Sequence, residues 1–230
     1  MTRISYRTAL IIGAGPGISA AVARGLAADG LRVALAARNI DKLATLAKEI
    51  GAHSFSVDAA DPAAMQQLFA AADAAIGEPE VVLYNASTRL RGPLLSLDPE
   101  EVQRSLLVSA FGGFLAVQLA ARRMAARACG AILLTGASAS IKGFSQSAPF
   151  AMGKFALRGL AQSAARELGP KGIHVAHFLI DGAVRNAVRP DSDDRTLDPE
   201  AIAQAYLDVL RQPRSAWSFE VDLRPWSETF

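Results

Sequence analysis

The chain has 230 residues, 51% of them apolar, and its 24 basic against 22 acidic side chains leave a formal charge of +2. That length and apolar fraction suit one large α/β domain with a sizeable core, and the scattered Lys and Arg give no argument for a nucleic-acid partner. Cys129 is the only cysteine, which excludes an intrachain disulfide, and His53, His174 and His177 are too few and too dispersed for a zinc site, so no metal is expected.

Arg3 and Arg7 precede an apolar run, as in an export signal. Gly13, Gly15, Pro16 and Gly17 break that run early, so it reads as strand plus turn. Strands are expected at 9–12, 32–37, 54–57, 80–84, 131–135, 173–180 and 219–223. Most are short and apolar without alternation, as parallel strands covered on both faces are. Helices are expected near 17–28, 40–49, 62–76, 99–127 (broken), 148–168 and 199–211. Asp61-Pro62, Asp98-Pro99 and Asp198-Pro199 each place a capping carboxylate before a proline suited to the first helical position. Gly30 suits the end of the first helix. Strand and helix in alternation predict a Rossmann-like, doubly wound parallel sheet of about seven strands in a single domain spanning 1–230.

Ligands on such sheets bind beyond the carboxyl ends of the strands. Pro190 to Pro199 is polar and aperiodic, a mobile loop in the place of a substrate lid. Phe219, Val221 and Leu223 alternate with Glu220 and Asp222, the pattern of an edge strand with one wet face. Trp217 and Trp226 are expected to cover the sheet edge or a subunit contact. No stretch reads as long enough to span a membrane, so a soluble, cytoplasmic protein with no membrane partner is expected.

The first strand runs into Gly13-Ala14-Gly15-Pro16-Gly17-Ile18-Ser19. Glycines in such a turn let backbone approach a diphosphate, and the helix that follows offers free N–H groups and a positive dipole end. Gly13, Gly15, Gly17, Ile18 and Ser19 are therefore candidate dinucleotide-binding residues. At the end of the second strand, a carboxylate would hydrogen-bond a free ribose 2′-hydroxyl and favour NAD. This chain has Ala37 there and Arg38 next, and a guanidinium suits a 2′-phosphate. NADP(H) is the expected cofactor, with Asp58 near the adenine.

Several linked motifs carry a resemblance. Gly13, Gly17 and Ser19 stand where the short-chain dehydrogenase/reductase family has Gly-x-x-x-Gly-x-Gly, with serine for the third glycine. Tyr84-Asn85-Ala86-Ser87 stands for its Asn-Asn-Ala-Gly. Met124 and the stretch 165–175 (Ala-Arg-Glu-Leu-Gly-Pro-Lys-Gly-Ile-His-Val) are also similar. The chain resembles that family over essentially its whole length. The resemblance implies hydride transfer between a nicotinamide cofactor and a small-molecule substrate, with Asn85, Ala86 and Gly182 against the cofactor. It also implies a homodimer or homotetramer joined through the helices around Ser109 and Lys154.

The family's Tyr-x-x-x-Lys places both side chains on one helix face. The lysine holds the nicotinamide ribose and lowers the tyrosine pKa, and the tyrosine exchanges a proton with the substrate. Here the segment is Phe150-Ala-Met-Gly-Lys154, so the lysine is present and the tyrosine is phenylalanine. The family's serine falls on Ala137, with Ser138 beside it. Its helix asparagine falls on Ser109, and its Pro-Gly on Asp181-Gly182. Candidate catalytic positions are thus Lys154, Ser138, Phe150 and Ser109. Two readings stay open. In one, hydride still moves and the proton comes from Ser138, Ser140, water held by Lys154, or Tyr84, while Phe150 lines an apolar pocket with Phe144 and Phe155. In the other, the protein binds NADP(H) without turnover, as a sensor or a structural subunit.

Overall fold

The computed structural model describes residues 5–186, 190–191 and 193–228. Its strands are β1 (Thr8–Ile12), β2 (Arg32–Ala37), β3 (His53–Ser56), β4 (Val81–Tyr84), β5 (Gly130–Thr135), β6 (Ile173–Ile180) and β7 (Glu220–Leu223). They form one sheet in the order β3-β2-β1-β4-β5-β6-β7, and every pairing is parallel. The order reverses between β1 and β4, where the connections from the two paired carboxyl ends leave in opposite directions.

Side chains on a strand alternate between faces, and here both faces are covered. Ala9, Ile11, Val81, Leu83, Ala131 and Leu133 join one core cluster with α1 (Ile18–Ala28), α2 (Ala44–Ile50) and α7 (Pro199–Leu210). Leu10, Ile12, Val82, Tyr84, Ile132 and Leu134 join the other with α3 (Pro62–Ile76), α5 (Gly112–Ala125) and α6 (Ala148–Leu168). Two-sided burial explains the unbroken apolar strands. The two edge strands are the exceptions, β3 with His53 and Ser56 exposed and β7 with Glu220 and Asp222 exposed. Trp217 stacks on His174 beside it, centroids 4.6 Å apart, whereas Trp226 stays exposed and its indole N–H donates to the Asp194 carbonyl.

The three Asp-Pro signals act as caps. Asp61 accepts from the N–H groups of Ala63 and Ala64, Asp98 from that of Glu100, and Asp198 from that of Glu200. These carboxylates satisfy backbone donors that a helix leaves open at its start. Asp98 starts α4 (Pro99–Leu106). Gly30, at φ +90°, follows α1, and its N–H donates to the Ala27 carbonyl. The loop before α7 is held by Asp191, which accepts from the N–H and hydroxyl of Thr196; Ser192 of the expected mobile segment lies outside the described residues.

The expected break in the 99–127 helix is a π-turn over Leu107–Phe111, and helical backbone continues through it. Contrary to the sequence reading, the run Pro99–Ala125 is long and apolar enough to cross a membrane by length and composition. However, 56% of its most apolar stretch is buried within the fold, where it packs on α3 and α6. Gly153 makes that packing possible, because a Cβ there would stand 2.7 Å from the Cβ of Ser109 on the π-turn.

At the reversal point the Gly13 carbonyl accepts from Asn85 Nδ2 at 3.1 Å, and the Gly13 and Ala14 N–H groups both donate to the Ala36 carbonyl. Gly13 has φ +83°, and a Cβ there would collide with the backbone of Ala86. Gly13→Ala should therefore cost about 2 kcal/mol or more. Gly15, with open space around it, should tolerate alanine within about 0.5 kcal/mol. Urea unfolding of both variants checks this contrast, and equal losses would contradict it.

Candidate active site

Two clefts lie beyond the carboxyl ends of the strands, one over each half of the sheet. The first, of about 390 Å³, is lined by Ile12 to Pro16, Ala37, Arg38, Asn39, Lys42, Val57, Asp58, Ala59, Asn85 to Ser87 and Val108. It collects the ends of β1 to β4. Gly17 precedes α1 with no side-chain cap, so the first helical N–H groups are left open toward an anion. Gly15 and Gly17 have nothing within 4 Å of where a Cβ would stand. The Ser19 hydroxyl, in the place of a third glycine, accepts from the Gly15 N–H at 2.9 Å and lies 3.2 Å from the Gly15 carbonyl, which closes the turn on itself.

Among the described residues that line this cleft, Arg38 and Lys42 are the cations and Asp58 is the carboxylate. Asp58 is already engaged: it pairs with Arg104 at 2.9 Å and accepts from the Ala60 N–H at 3.0 Å. The rim at the end of β2 is therefore net basic. Lys42 belongs to a 3-10 turn, Asp41–Leu43, and escaped the sequence reading. Its signal was faint, a single lysine in a polar loop.

The second cleft, of about 750 Å³, lies beyond β5 and β6. Ala137, Ser138, Phe144, Ser147, Phe150, Asp181 and Gly182 line it, together with Arg89, Arg91 and Lys142. Phe155 is 46% exposed and has no part in it, because on α6 it does not share the face of Phe150 and Lys154. The expected apolar pocket is thus a corner of a cleft whose walls are also cationic. Gly182, expected against the cofactor, lies here and packs on Pro225.

Lys154 is buried, and its ammonium donates to the Thr135 carbonyl at 2.7 Å. It stands 5.8 Å from the centroid of the Phe150 ring, within cation–π range. Burial pushes its pKa down to about 8. Ser109 is fully buried on the π-turn, where its Oγ accepts from the Thr88 N–H at 3.2 Å. The hydroxyl therefore holds the loop after β4, which carries Arg89 and Arg91 to the second cleft.

Two of the expected proton donors are buried and already engaged. Tyr84 has no exposed surface, and its hydroxyl donates to the Val108 carbonyl. Its place in the strand aims it at the α3 and α5 face, and burial pushes its phenol pKa up. Ser140 is fully buried and its Oγ accepts from the Ala137 N–H at 3.1 Å. Ser138 does line the second cleft, as Phe150 does. His177, a group the sequence left unassigned, is fully buried with Nδ1 3.1 Å from Glu220; burial pushes it down to about 4, which keeps it neutral near pH 7.

A family model described as short chain dehydrogenase matches residues 7–192. An uncharacterized oxidoreductase of Staphylococcus aureus is 30% identical, over 98% of this chain and 100% of its own. Among solved structures, a short-chain dehydrogenase from Rhodopseudomonas palustris is 37% identical at a TM-score of 0.83, covering 96% of this chain and 99% of its own. A metagenomic short-chain oxidoreductase in complex with NADP is 29% identical at a TM-score of 0.86, covering 97% and 99%.

The unfolded chain holds the Lys154 proton up to the ordinary value of 10.5, and the folded chain releases it near 8. Below pH 8 the folded state bears the whole penalty of burying the charge, and the penalty is relieved as pH rises toward 10.5. The stability of the wild type relative to Lys154→Met should therefore rise by about 3 kcal/mol across that window. Urea unfolding at a series of pH values reads this directly, and a gap that stays flat would mean an unperturbed lysine.

Proposed function

Since the chain belongs to the short-chain dehydrogenase family, we propose that it is an NADP(H)-dependent oxidoreductase, with cofactor in the first cleft and substrate in the second. The observation that carries this reading is the net basic rim at Ala37, Arg38 and Lys42, where no free carboxylate faces a ribose phosphate. The residues present fit the group. Gly15 and Gly17 leave room for a diphosphate, and the open start of α1 would hold it. Arg38 and Lys42 would hold the 2′-phosphate, with Asp58 and Asn85 on the cleft walls. Bound there, NADP(H) would supply or accept the hydride.

Lys154 is fixed between the Thr135 carbonyl and the Phe150 ring, which suits it to orient a ribose hydroxyl. Phe150 has no proton to give. Ser138 is the hydroxyl we assign to hydrogen-bond the substrate oxygen, with the proton itself drawn from solvent in the open cleft. General acid catalysis contributes about 10²–10⁴-fold, while positioning and electrostatics supply much of the rest. The site therefore suits an activated acceptor better than a simple ketone. Phe111, Phe114, Met152 and Phe155 are exposed apolar side chains around α5 and α6, which supports self-association there as a homodimer or homotetramer. The lone free thiol, Cys129, suits a reducing, cytoplasmic setting. The loss of the tyrosine also favours a second reading, an NADP(H)-binding protein without turnover.

NADPH is expected to bind more tightly than NADH, and Arg38→Ala should reduce that preference roughly tenfold, measured by cofactor titration. Equal affinities in the wild type would refute the choice of cofactor. Reduction of simple ketones should be slow in the wild type and faster, by about tenfold or more, in Phe150→Tyr. The deciding assay is NADPH oxidation over carbonyl, enone and quinone acceptors, with Lys154→Ala as control. Turnover lost in that variant supports an enzyme, and cofactor binding without turnover on any acceptor supports the sensor.

A further inference from the structure

Among the described residues, nine arginines have a carboxylate within ion-pair distance: Arg7, Arg24, Arg104, Arg123, Arg127, Arg158, Arg185, Arg211 and Arg224. Arg89, Arg91 and Lys142 are among the described cations that have none, and, as Arg38 and Lys42 do on the first cleft, these three converge on the second. They reach it from different loops, the arginines from the segment after β4 and the lysine from the segment after β5. Asp181 on the same wall faces Arg224 at 3.5 Å, which leaves Glu228 as the counter-charge among the described lining residues.

Two of the cations are held against aromatic rings. The Arg89 guanidinium stands 5.6 Å from the centroid of Phe150, and the Lys142 ammonium 5.7 Å from that of Phe144. Such contacts hold long side chains in place at the cleft wall. A concave wall of low dielectric concentrates the field of like charges, so an anion is drawn in more strongly than to the same charges on a flat surface. Ile180, Ala183 and Val184 complete the lining with apolar surface.

Resting on the reading of this cleft as the substrate site, we propose that its substrate carries an oxyanion group, carboxylate or phosphate, held by Arg91 and Lys142. Arg89 and the two phenylalanine rings bound the body of the molecule beside Ser138. The acceptor class is therefore an anionic carbonyl compound.

The test uses matched pairs that differ in charge: benzoylformate against its methyl ester, and dihydroxyacetone phosphate against dihydroxyacetone. Each is titrated by calorimetry into the NADP⁺-loaded protein, and each is offered as acceptor in NADPH oxidation. At least one anion is expected to bind roughly tenfold or more tightly than its neutral partner, and the pair that responds tells carboxylate from phosphate. Arg91→Gln with Lys142→Gln should reduce that ratio about tenfold or more, and salt at about 0.5 M should weaken it. Near-UV circular dichroism checks that the variant is folded. Anions and neutral partners binding alike, no binding of any of the four, or anion binding indifferent to both substitutions would overturn the proposal. Anion binding that depends on the two cations, without turnover of any compound, would uphold it and count against the oxidoreductase reading instead.

Discussion

Three strand ends meet around the backbone of Gly13. Its N–H donates to the Ala36 carbonyl at the end of β2, and its carbonyl accepts from Asn85 at the end of β4. Only a residue without a Cβ fits there, because the backbone of Ala86 fills the space. This contact sets the spacing of the strand ends at the point where the sheet reverses. The glycine turn stands on it, closed by Ser19, and the first cleft opens above it. The loop that leaves Asn85 toward Arg89 and Arg91 starts from the same point. Both clefts are thus positioned by one close approach of backbones.

A second constraint lies under the other half of the sheet. Lys154 is buried with its ammonium on the Thr135 carbonyl, and α6 lies close to the π-turn through Gly153. A buried ammonium with one carbonyl partner is costly, and burial duly lowers its pKa. A fold rarely keeps such a group for stability alone, and perturbed groups of this kind gather at functional sites. Phe150 covers the lysine where a tyrosine would bring a hydroxyl. On the proposed reading, the charge that serves the cofactor is kept and the tyrosine's proton donor is absent.

Local signals are legible in the chain because their physics is local. An Asp-Pro pair caps the helix it precedes, and a glycine after a helix accepts a positive φ, whatever the tertiary context. Two-sided burial leaves its mark directly as unbroken apolar strands. The π-turn was legible only as an interruption, since its extra residue is accommodated by packing against α6. Tyr84 and Ser140 were open as proton donors for a related reason. Residue type shows that a hydroxyl exists, but only packing shows that the Val108 carbonyl takes one and the Ala137 N–H the other.

The sequence by itself determined the alternation of strand and helix, the glycine turn at the first strand end, the absence of a carboxylate at Ala37 and the loss of the tyrosine at Phe150. Each of these is a property of residue type at a position, or of neighbours within a few residues. Tertiary structure alone decided what converges. It paired Asp58 with Arg104, moved Phe155 away from Phe150, and brought Arg89, Arg91 and Lys142 from separate loops to one cleft without carboxylate partners among the described residues. The physical reason is that charge acts through space. Whether a lysine or arginine is neutralised or left to face a ligand depends on groups dozens of residues away, which only the folded chain brings within reach.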